Sequence, residues 1–437
     1  MKALKYILLS GLVTFFSCEI EDIPDPNNPS AADIAANAKL SDLQLLVSGT
    51  ESLLRSEMGF YYDVLNIVGR EQYFFTNSDP RYTGEILGKG ASSLDNAGFY
   101  GTRPYAGRYI VVKNAHILID AVNNTAESIT AQEKNGYTGF AKTVQAYSLL
   151  LVLNMQYDNG IRVETYDPEN LGPFLDYNGA LTSISSLLDE AYGELNNAGD
   201  AFLFDLSSGF AGFDNPQNFA EFNRAIKARV ALYSGDKAGA LAALNNSFMD
   251  LGGDLNNGPQ HFYSEAGTDL SNPLFRTRNA SEALVAHPSY MADIRPSDKR
   301  RNKVSRRNNT AVLDGLSSDF DVDLFASPSS NIPIIRNEEL ILIYAEANIG
   351  TNNNEAVAAL NIIRNAYGMP DYFGMPADDA VTNELLYNRR YSLFGEAHRW
   401  IDLRRHGKLD TLPLDRTDDD VWEKFPRPES EVGVQGG

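Results

Sequence analysis

Amphipathic helices that follow one another in pairs are the feature that most constrains this chain. Apolar residues recur at three- and four-residue intervals in two consecutive segments, about 139–154 and 180–195. They are Phe140, Val144, Tyr147 and Leu151 in the first segment and Leu181, Ile184, Leu188 and Tyr192 in the second. This spacing places the apolar side chains on one face of each helix. Because one such helix cannot bury its apolar face alone, the helices must stack against each other.

Further segments show the same pattern. We expect a helix over about 222–233 followed by a short one, and a pair over 338–348 and 354–366 with Asn354 as the cap of its second member. A last long helix is expected from about Thr382 to His406. Alanine-rich helix pairs of this length resemble tetratricopeptide units. The fold class is therefore mostly α, with tetratricopeptide-like pairs as a scaffold and an irregular, loop-rich lobe.

The stretches between these pairs, about 60–110, 157–178 and 250–333, are rich in Gly, Asn, Pro, Ser and aromatic residues. Such composition is typical of long surface loops and short hairpins, where functional residues often lie. The first stretch combines aromatic rings with an arginine, and its residues are Tyr73, Phe74, Phe75, Tyr82, Phe99, Tyr100, Arg103 and Tyr105. Sugar-binding sites combine an exposed ring with a few planar polar groups, although aromatic residues are more often found in cores.

The N-terminus reads as an export signal. Lys2 and Lys5 precede an apolar stretch over 6–16, and Cys18, the only cysteine of the chain, follows Ser17. The stretch 15–18 resembles a lipoprotein cleavage motif, so we expect residues 1–17 to be a signal peptide and Cys18 to carry the lipid. An incidental cysteine behind an ordinary signal peptide is the alternative. Residues 18–30, acidic and rich in Pro and Asn, then form a tether.

The charge balance excludes some partners. The formal net charge is −21, and removal of the two leader lysines makes it −23. An acidic surface of this kind repels phosphate backbones and anionic headgroups, so we expect no nucleic-acid partner and no membrane contact beyond the lipid anchor. One basic segment, from Arg295 to Arg307, stands out. A solvated loop or hairpin is the expected form, and a contact for an acidic ligand or partner is the alternative.

We find no catalytic motif. The chain has no HExxH, no GxSxG and no Walker loop, and its five histidines show no metal-ligand spacing. Asp319, Asp321 and Asp323 mimic the opening of a calcium loop, but Leu324 replaces the loop glycine. We therefore expect no enzyme activity, no cofactor and no metal site, with a surface glycosidase as the least favoured alternative.

Four C-terminal blocks carry a family resemblance. They are RNEELILIYAEA at 336–347, LNIIR at 360–364, LFGEAHRWIDLRR at 393–405 and FPRPE at 425–429. Behind a lipoprotein leader with acids after the cysteine, this order resembles the SusD/RagB family of outer-membrane nutrient-binding lipoproteins. We interpret the blocks as scaffold, in which Glu396, Arg399, Asp402 and Arg405 link the last helix to the repeats.

The resemblance implies a surface-exposed lipoprotein of the outer membrane of a Bacteroidetes-type bacterium. Such proteins capture oligosaccharides and deliver them to a SusC-like TonB-dependent transporter. The alternatives are an oligopeptide-binding lid of such a transporter and a structural lid without ligand affinity of its own. Relatives often present a tryptophan where this chain has Phe99 and Tyr100, which weakens the sugar interpretation somewhat and raises the peptide alternative without overturning the first.

The resemblance also implies an organisation and a site. Residues 31–437 would form one SusD-like body, with a helical scaffold at about 31–60, 106–250 and 334–437 and a ligand lobe at about 61–105 and 251–333. The candidate ligand-binding residues are Phe99, Tyr100, Arg103, Tyr105, Tyr73, Tyr263, Phe275 and Tyr290. Among these we favour Tyr100 as the stacking ring, since its hydroxyl offers a polar contact as well.

The anchor is open to a direct test. Because a lipid can be attached only at a cysteine in this position, Cys18→Ala should abolish incorporation of radiolabelled fatty acid and release the protein from membranes. Fractionation of cells that express each form measures the release. Equal membrane retention of the wild type and the variant would contradict the lipid anchor.

Overall fold

The computed structural model describes residues 36–167, 169–267 and 269–432. The expected signal peptide, Cys18 and the acidic tether lie outside the described residues. The expectation of a mostly helical protein is confirmed. Thirteen helices are found within the described ranges: α1 Leu40–Arg55, α2 Met58–Val68, α3 Phe99–Asn124, α4 Ala131–Gln156, α5 Tyr177–Leu195, α6 Pro216–Tyr233, α7 Lys237–Leu244, α8 Pro288–Asp293, α9 Asn337–Asn348, α10 Asn353–Ala366, α11 Asp378–Ser392, α12 Arg399–Arg405 and α13 Glu429–Val432.

The helices pack in sequence order, α3 on α4, α4 on α5, α6 on α7 and α9 on α10. Polar caps fix where several of them begin. Thr130 and Glu133 form a reciprocal capping box at the start of α4, with the Glu133 amide donating to Thr130 Oγ1 at 3.2 Å. Helix α10 is capped by Asn352 instead of the expected Asn354, since Asn352 accepts from the Glu355 amide.

Eight strands complete the described fold. They are β1 Gln72–Phe75, β2 Ile161–Arg162, β3 Phe174–Leu175, β4 Gln260–His261, β5 Ala283–Ala286, β6 Val304–Leu313, β7 Leu316–Val322 and β8 Ile332–Pro333. Antiparallel pairing gives one four-stranded sheet in the order β1-β5-β7-β6 and two short ribbons, β2-β3 and β4-β8. Both stretches of the proposed ligand lobe thus contribute strands to one sheet, because β1 pairs with β5.

The stretch from 60 to 110 is less irregular than its composition predicts. Helix α2 extends to Val68, and α3 begins at Phe99 and contains Pro104. Gly101, Pro104 and Gly107 lie in the first turns of α3, where they conceal its helical pattern. Propensity is overridden here by packing, since Tyr105 and Arg108 are buried on this helix.

The expected helix from Thr382 to His406 is wrong, because the chain breaks at residues 393–398 into α11 and α12. Gly395 and Ala397 adopt positive φ angles of 81° and 63°, which end the helix. The buried side chain of Asn66 fixes the break from the N-terminal side of the molecule. Its Nδ2 donates to the Gly395 carbonyl at 3.0 Å, and its Oδ1 accepts from the Ala397 amide at 2.9 Å.

Buried ion pairs join the scaffold helices through α9. The Arg229 guanidinium of α6 donates two hydrogen bonds, at 2.7 and 2.6 Å, to the Glu339 carboxylate. Arg405 of α12 pairs with Glu346 at 2.9 Å and also with Asp402, as the spacing of the motif predicts. The expected Glu396–Arg399 link is wrong, since Glu396 pairs with Arg336.

The Arg229–Glu339 pair should contribute much of the stability that comes from these contacts between helices. Both side chains are buried, so Arg229→Met should leave the Glu339 carboxylate without its guanidinium partner and lower the free energy of unfolding by about 3–5 kcal/mol. Urea unfolding measures the loss. Arg306→Met is the matched control, because Arg306 lies 3.8 Å from Asp319 with both side chains exposed, and it should change stability by about 1 kcal/mol or less.

The same pair predicts an acid dependence. The Arg229 guanidinium lowers the pKa of Glu339 from 4.5 to about 2 against the opposing effect of burial. The folded state therefore holds fewer protons than the unfolded state between these values, and the pair's contribution should be lost as the pH falls from about 4.5 towards 2. A stability difference between wild type and Arg229→Met that persists unchanged down to pH 2 would contradict this assignment.

Candidate functional site

An open cleft of about 340 Å³ lies between the start of α2 and the segment that follows β4. We call it the aromatic cleft. Its rings are Phe60, Phe74, Tyr82 and Tyr263, and its charged side chains are Arg55, Glu57, Asp63, Arg103 and Arg276. A volume of this size falls at the lower end of the range for small-ligand sites, which combine apolar walls with a few oriented polar groups.

Two segments that are remote in sequence are brought together at this cleft. Gly59 of α2 lies so close to Pro273 that a Cβ atom at residue 59 would stand 2.7 Å from the proline Cβ. Arg55, at the end of α1, pairs with Asp269 at 2.9 Å. Only glycine at residue 59 permits this approach, and the ion pair fixes the opposite end of the wall.

Glu57 forms the rim of the cleft in an unusual conformation. Its φ of 58° and ψ of 8° are left-handed, which is uncommon for a residue with a side chain and carries a strain cost. The Glu57 carboxylate accepts a hydrogen bond from Arg103 Nη2 at 3.0 Å, and its other oxygen lies 2.9 Å from Arg103 Nε. The strained backbone thus holds an acid where it orients the guanidinium of Arg103.

Phe60 is the ring best placed to meet a ligand. It is half-buried, the Arg103 guanidinium lies 4.3 Å from its centroid, and the half-buried ring of Phe99 packs on it at 5.3 Å. The Arg103 side chain is 52% exposed, so the donors that Glu57 does not use are open to solvent. The result is a planar donor group beside a partly exposed aromatic surface.

A poorly compensated carboxylate lies in the same cleft. Asp63 is buried and accepts a hydrogen bond from Gln72 at 3.2 Å, while the closest Arg276 nitrogen is 4.0 Å away. Burial raises the pKa of Asp63 to about 6, against the opposing effect of Arg276. An acceptor held at an energetic cost next to aromatic rings is a feature of ligand sites more than of structural cores.

The structure places some of the residues predicted from sequence at the aromatic cleft and others in the core. Arg103 and Tyr263 line the aromatic cleft, and Phe99 lies behind Phe60. Phe275 is half-buried in the adjoining segment without lining the cleft. The remaining four predicted residues are buried in the hydrophobic core, and they are Tyr73, Tyr100, Tyr105 and Tyr290.

The preference for Tyr100 as a stacking ring is therefore corrected. Its side chain is completely buried, its hydroxyl accepts from the Asp95 amide at 2.6 Å and it donates to the Glu85 carboxylate. Tyr290 similarly donates to the Arg300 carbonyl at 2.8 Å, and Tyr73 donates to the Asp415 carboxylate. These hydroxyls already have internal partners, and their rings have no exposed face to offer a ligand.

Sequence reasoning missed Phe60, Asp63 and Arg276. One signal could have found Phe60, since it begins the consecutive run Phe60-Tyr61-Tyr62 on a helix. Adjacent residues on a helix point about 100° apart, so three successive rings cannot all share one face of the helix. Tyr61 and Tyr62 are buried, and Phe60 is the one turned towards the cleft. Nothing local marks Arg276, whose position depends on the packing of the 270s segment on α2.

The basic segment is a short turn that continues into the hairpin β6–β7, as expected, and its exposed cations, Lys299, Arg301 and Arg306, alternate with buried or half-buried ones. Arg300 and its partner Asp298 are completely buried, and Arg295 pairs with Glu384 at 2.6 Å. Arg307 of β6 pairs with Asp321 of β7. An arginine therefore already binds the acidic run that mimics a calcium loop. Among the residues that the structure describes, no group of three or more His, Cys, Asp or Glu side chains could hold a metal ion. Nor does any helix in these ranges have the length and apolar character of a membrane span.

Comparisons with known proteins agree with this architecture. Residues 294–433 match the model of the SusD family. A SusD-superfamily protein from Bacteroides vulgatus ATCC 8482 has a TM-score of 0.66 at 16% identity, over 90% of this chain and 97% of that one. A second, from Bacteroides thetaiotaomicron VPI-5482, gives 0.65 at 20% identity, over 91% and 98%.

The third is the surface glycan-binding protein A from Bacteroides thetaiotaomicron in complex with laminarihexaose, with a TM-score of 0.63 at 12% identity, over 90% and 97% of the two chains. No protein with a curated description matches the sequence. The C-terminal third of this chain thus matches the SusD family, and its described residues have the fold of SusD-superfamily structures.

Proposed function

We propose that this protein captures oligosaccharides at the outer surface of the outer membrane, without altering them, and delivers them to a SusC-like TonB-dependent transporter. The observation that carries the proposal is the aromatic cleft, in which Phe60, Arg103 and Asp63 lie within one opening. A laminarihexaose complex in a protein of the same fold supports a glycan as the ligand class. Delivery, surface location and the lipid anchor at Cys18 rest on the family and the leader.

The chemistry of the cleft fits a sugar. A pyranose ring has apolar C–H faces that pack on an aromatic ring such as Phe60, and hydroxyl edges that need donors and acceptors. Arg103 supplies outward-facing donors, and Asp63 supplies an acceptor that is bound by the neutral amide of Gln72 and whose closest Arg276 nitrogen is 4.0 Å away. A hydroxyl that donates to Asp63 would therefore offset part of the cost of burying that carboxylate.

A binding screen is the first test. The purified protein should bind members of a panel of neutral oligosaccharides, laminarihexaose included, in a surface-immobilised array and in calorimetry. Binding of oligopeptides alone would favour the peptide alternative. Absence of binding to both panels, combined with co-purification with the transporter, would favour the structural lid.

Removal of the exposed ring should then weaken the glycan. Phe60→Ala should lower the affinity for a glycan found in the screen by about 1–3 kcal/mol, which is a roughly ten- to hundredfold rise in Kd, because the apolar contact is lost. Calorimetry and thermal melts separate binding from folding. Phe373→Ala is the matched control, since Phe373 is 93% exposed and lies outside the cleft. Equal affinities of the wild type and Phe60→Ala would place the ligand elsewhere.

Asp63 predicts a pH dependence of stability. Its pKa rises from 3.8 to about 6 on folding, so the folded state holds the extra proton between these values. Stability should fall as the pH rises through this window, and Asp63→Asn should gain about 1–3 kcal/mol over the wild type at pH 8 but little at pH 4. Urea midpoints at the two pH values measure the gain. Asp200→Asn, at an exposed position, should show no such difference.

The same variant links stability to function. Asp63→Asn should weaken glycan binding while it stabilises the fold, since the amide is a weaker acceptor than the carboxylate. A variant that gains stability and binds as tightly as the wild type would show that Asp63 faces no ligand hydroxyl.

A further inference from the structure

A second cleft, of about 510 Å³, lies between α8, α11, α12 and the segment 408–413. We call it the cationic cleft, defined by Arg390, Arg399 and Lys408 with Ser289, Asn383 and Thr411 beside them. None of its lining residues is shared with the aromatic cleft. Three cationic side chains converge here in a protein with a formal net charge of −21.

The cations of this cleft are incompletely paired. Arg399 makes one hydrogen bond, to the Arg70 carbonyl at 2.9 Å, and no ion pair with any described residue. The Lys408 ammonium has no hydrogen bond or ion pair within the described ranges. The backbone carbonyl of Lys408 accepts a hydrogen bond from the Thr411 hydroxyl at 2.7 Å, which fixes the backbone of this turn. By contrast Arg405, one helical turn from Asp402 on α12, is paired with two buried carboxylates.

The acids around the cleft do not supply the missing charge. Asp402 is buried and is already bound by Arg389 at 2.6 Å and by Arg405 at 2.9 Å. Asp293 pairs with Arg390 at 2.9 Å, but its side chain is 55% exposed. Behind Arg399, burial raises the pKa of Glu71 and favours its neutral form, against the opposing effect of Arg399. The Arg399 guanidinium stays charged at neutral pH, since arginine does not lose its proton in proteins.

Like charges placed together with too few acids beside them cost stability unless an anion joins them. The neighbouring Arg390 guanidinium opposes the charge on Arg399, and burial of Arg390 leaves its Nε without an acceptor in the described part of the chain. Ser289, Asn383 and Thr411 add uncharged hydrogen-bonding groups to the cleft. Guanidinium and ammonium donors beside hydroxyl and amide groups are the set that recognises a carboxylate or a sulfate.

We propose that the cationic cleft is a second binding site, which takes one carboxylate or sulfate group of an anionic ligand. Extended polyanions are disfavoured by the acidic surface around it, whereas a small anion fits inside the opening. The volume accommodates a group of monosaccharide size. The two sources of such a group are an acidic sugar and a free inorganic anion.

The test uses three probes in calorimetry at low ionic strength with the purified protein. D-galacturonate supplies a carboxylate on a sugar, inorganic sulfate supplies a tetrahedral anion, and D-galactose is the neutral match of the first. At least one anion should bind saturably with one site per chain, and D-galactose should not bind there. Galacturonate alone indicates an acidic sugar, and sulfate alone indicates a tetrahedral anion. No saturable binding of either anion, or equal binding of D-galactose, would overturn the proposal.

Variants locate the site. Lys408→Gln should weaken binding of the anion ten- to hundredfold without loss of thermal stability, because the ammonium has no internal partner to lose. Lys408→Arg should restore most of the affinity. Lys113→Gln, which removes the same charge from an exposed position on α3, should bind as the wild type does. Unchanged affinity in Lys408→Gln would overturn the assignment, and unchanged anion binding in Phe60→Ala would separate this site from the aromatic cleft.

Discussion

Three buried carboxylates on helix α9 are the constraint on which the scaffold depends. Glu338, Glu339 and Glu346 each meet an arginine from a different part of the chain, in the linker before α9, in α6 and in α12. Nearby arginines lower the pKa of all three acids despite their burial. Pairs of this kind gain little over apolar packing, but loss of one partner is severe. They therefore select one arrangement of the helices more than they add to stability.

The position of the aromatic cleft also depends on a buried arginine. Arg108, buried in α3, donates to the Leu54 carbonyl at 2.9 Å and to further carbonyls at the end of α1. This contact satisfies a helix terminus that would otherwise need water, and it fixes where α1 stops and Glu57 turns. The side chains of α2 that line the aromatic cleft thus take their positions from a scaffold arginine that never reaches the cleft.

Local periodicity was enough to predict the helices with a clear apolar stripe, such as those that contain Phe140 and Leu188, and the C-terminal blocks were enough to predict the family. Contacts between remote segments decided the rest. The break at Gly395 depends on Asn66, and the burial of Tyr100 depends on Glu85 and Asp95. These partners cannot be identified from a single sequence, because composition gives the number of aromatic and charged residues but not which of them are buried.

Asn66 has a consequence for how the molecule can vary. Its side chain bridges the two backbone groups of the break from a position more than 300 residues away in sequence. The break separates α11 from α12, so that Arg405 reaches the interior carboxylates while Arg399 lines the cationic cleft. A change at residue 66 would therefore reorient a charged surface that it does not touch. Two homologues with identical cleft residues could differ in the shape of this cleft through that one amide.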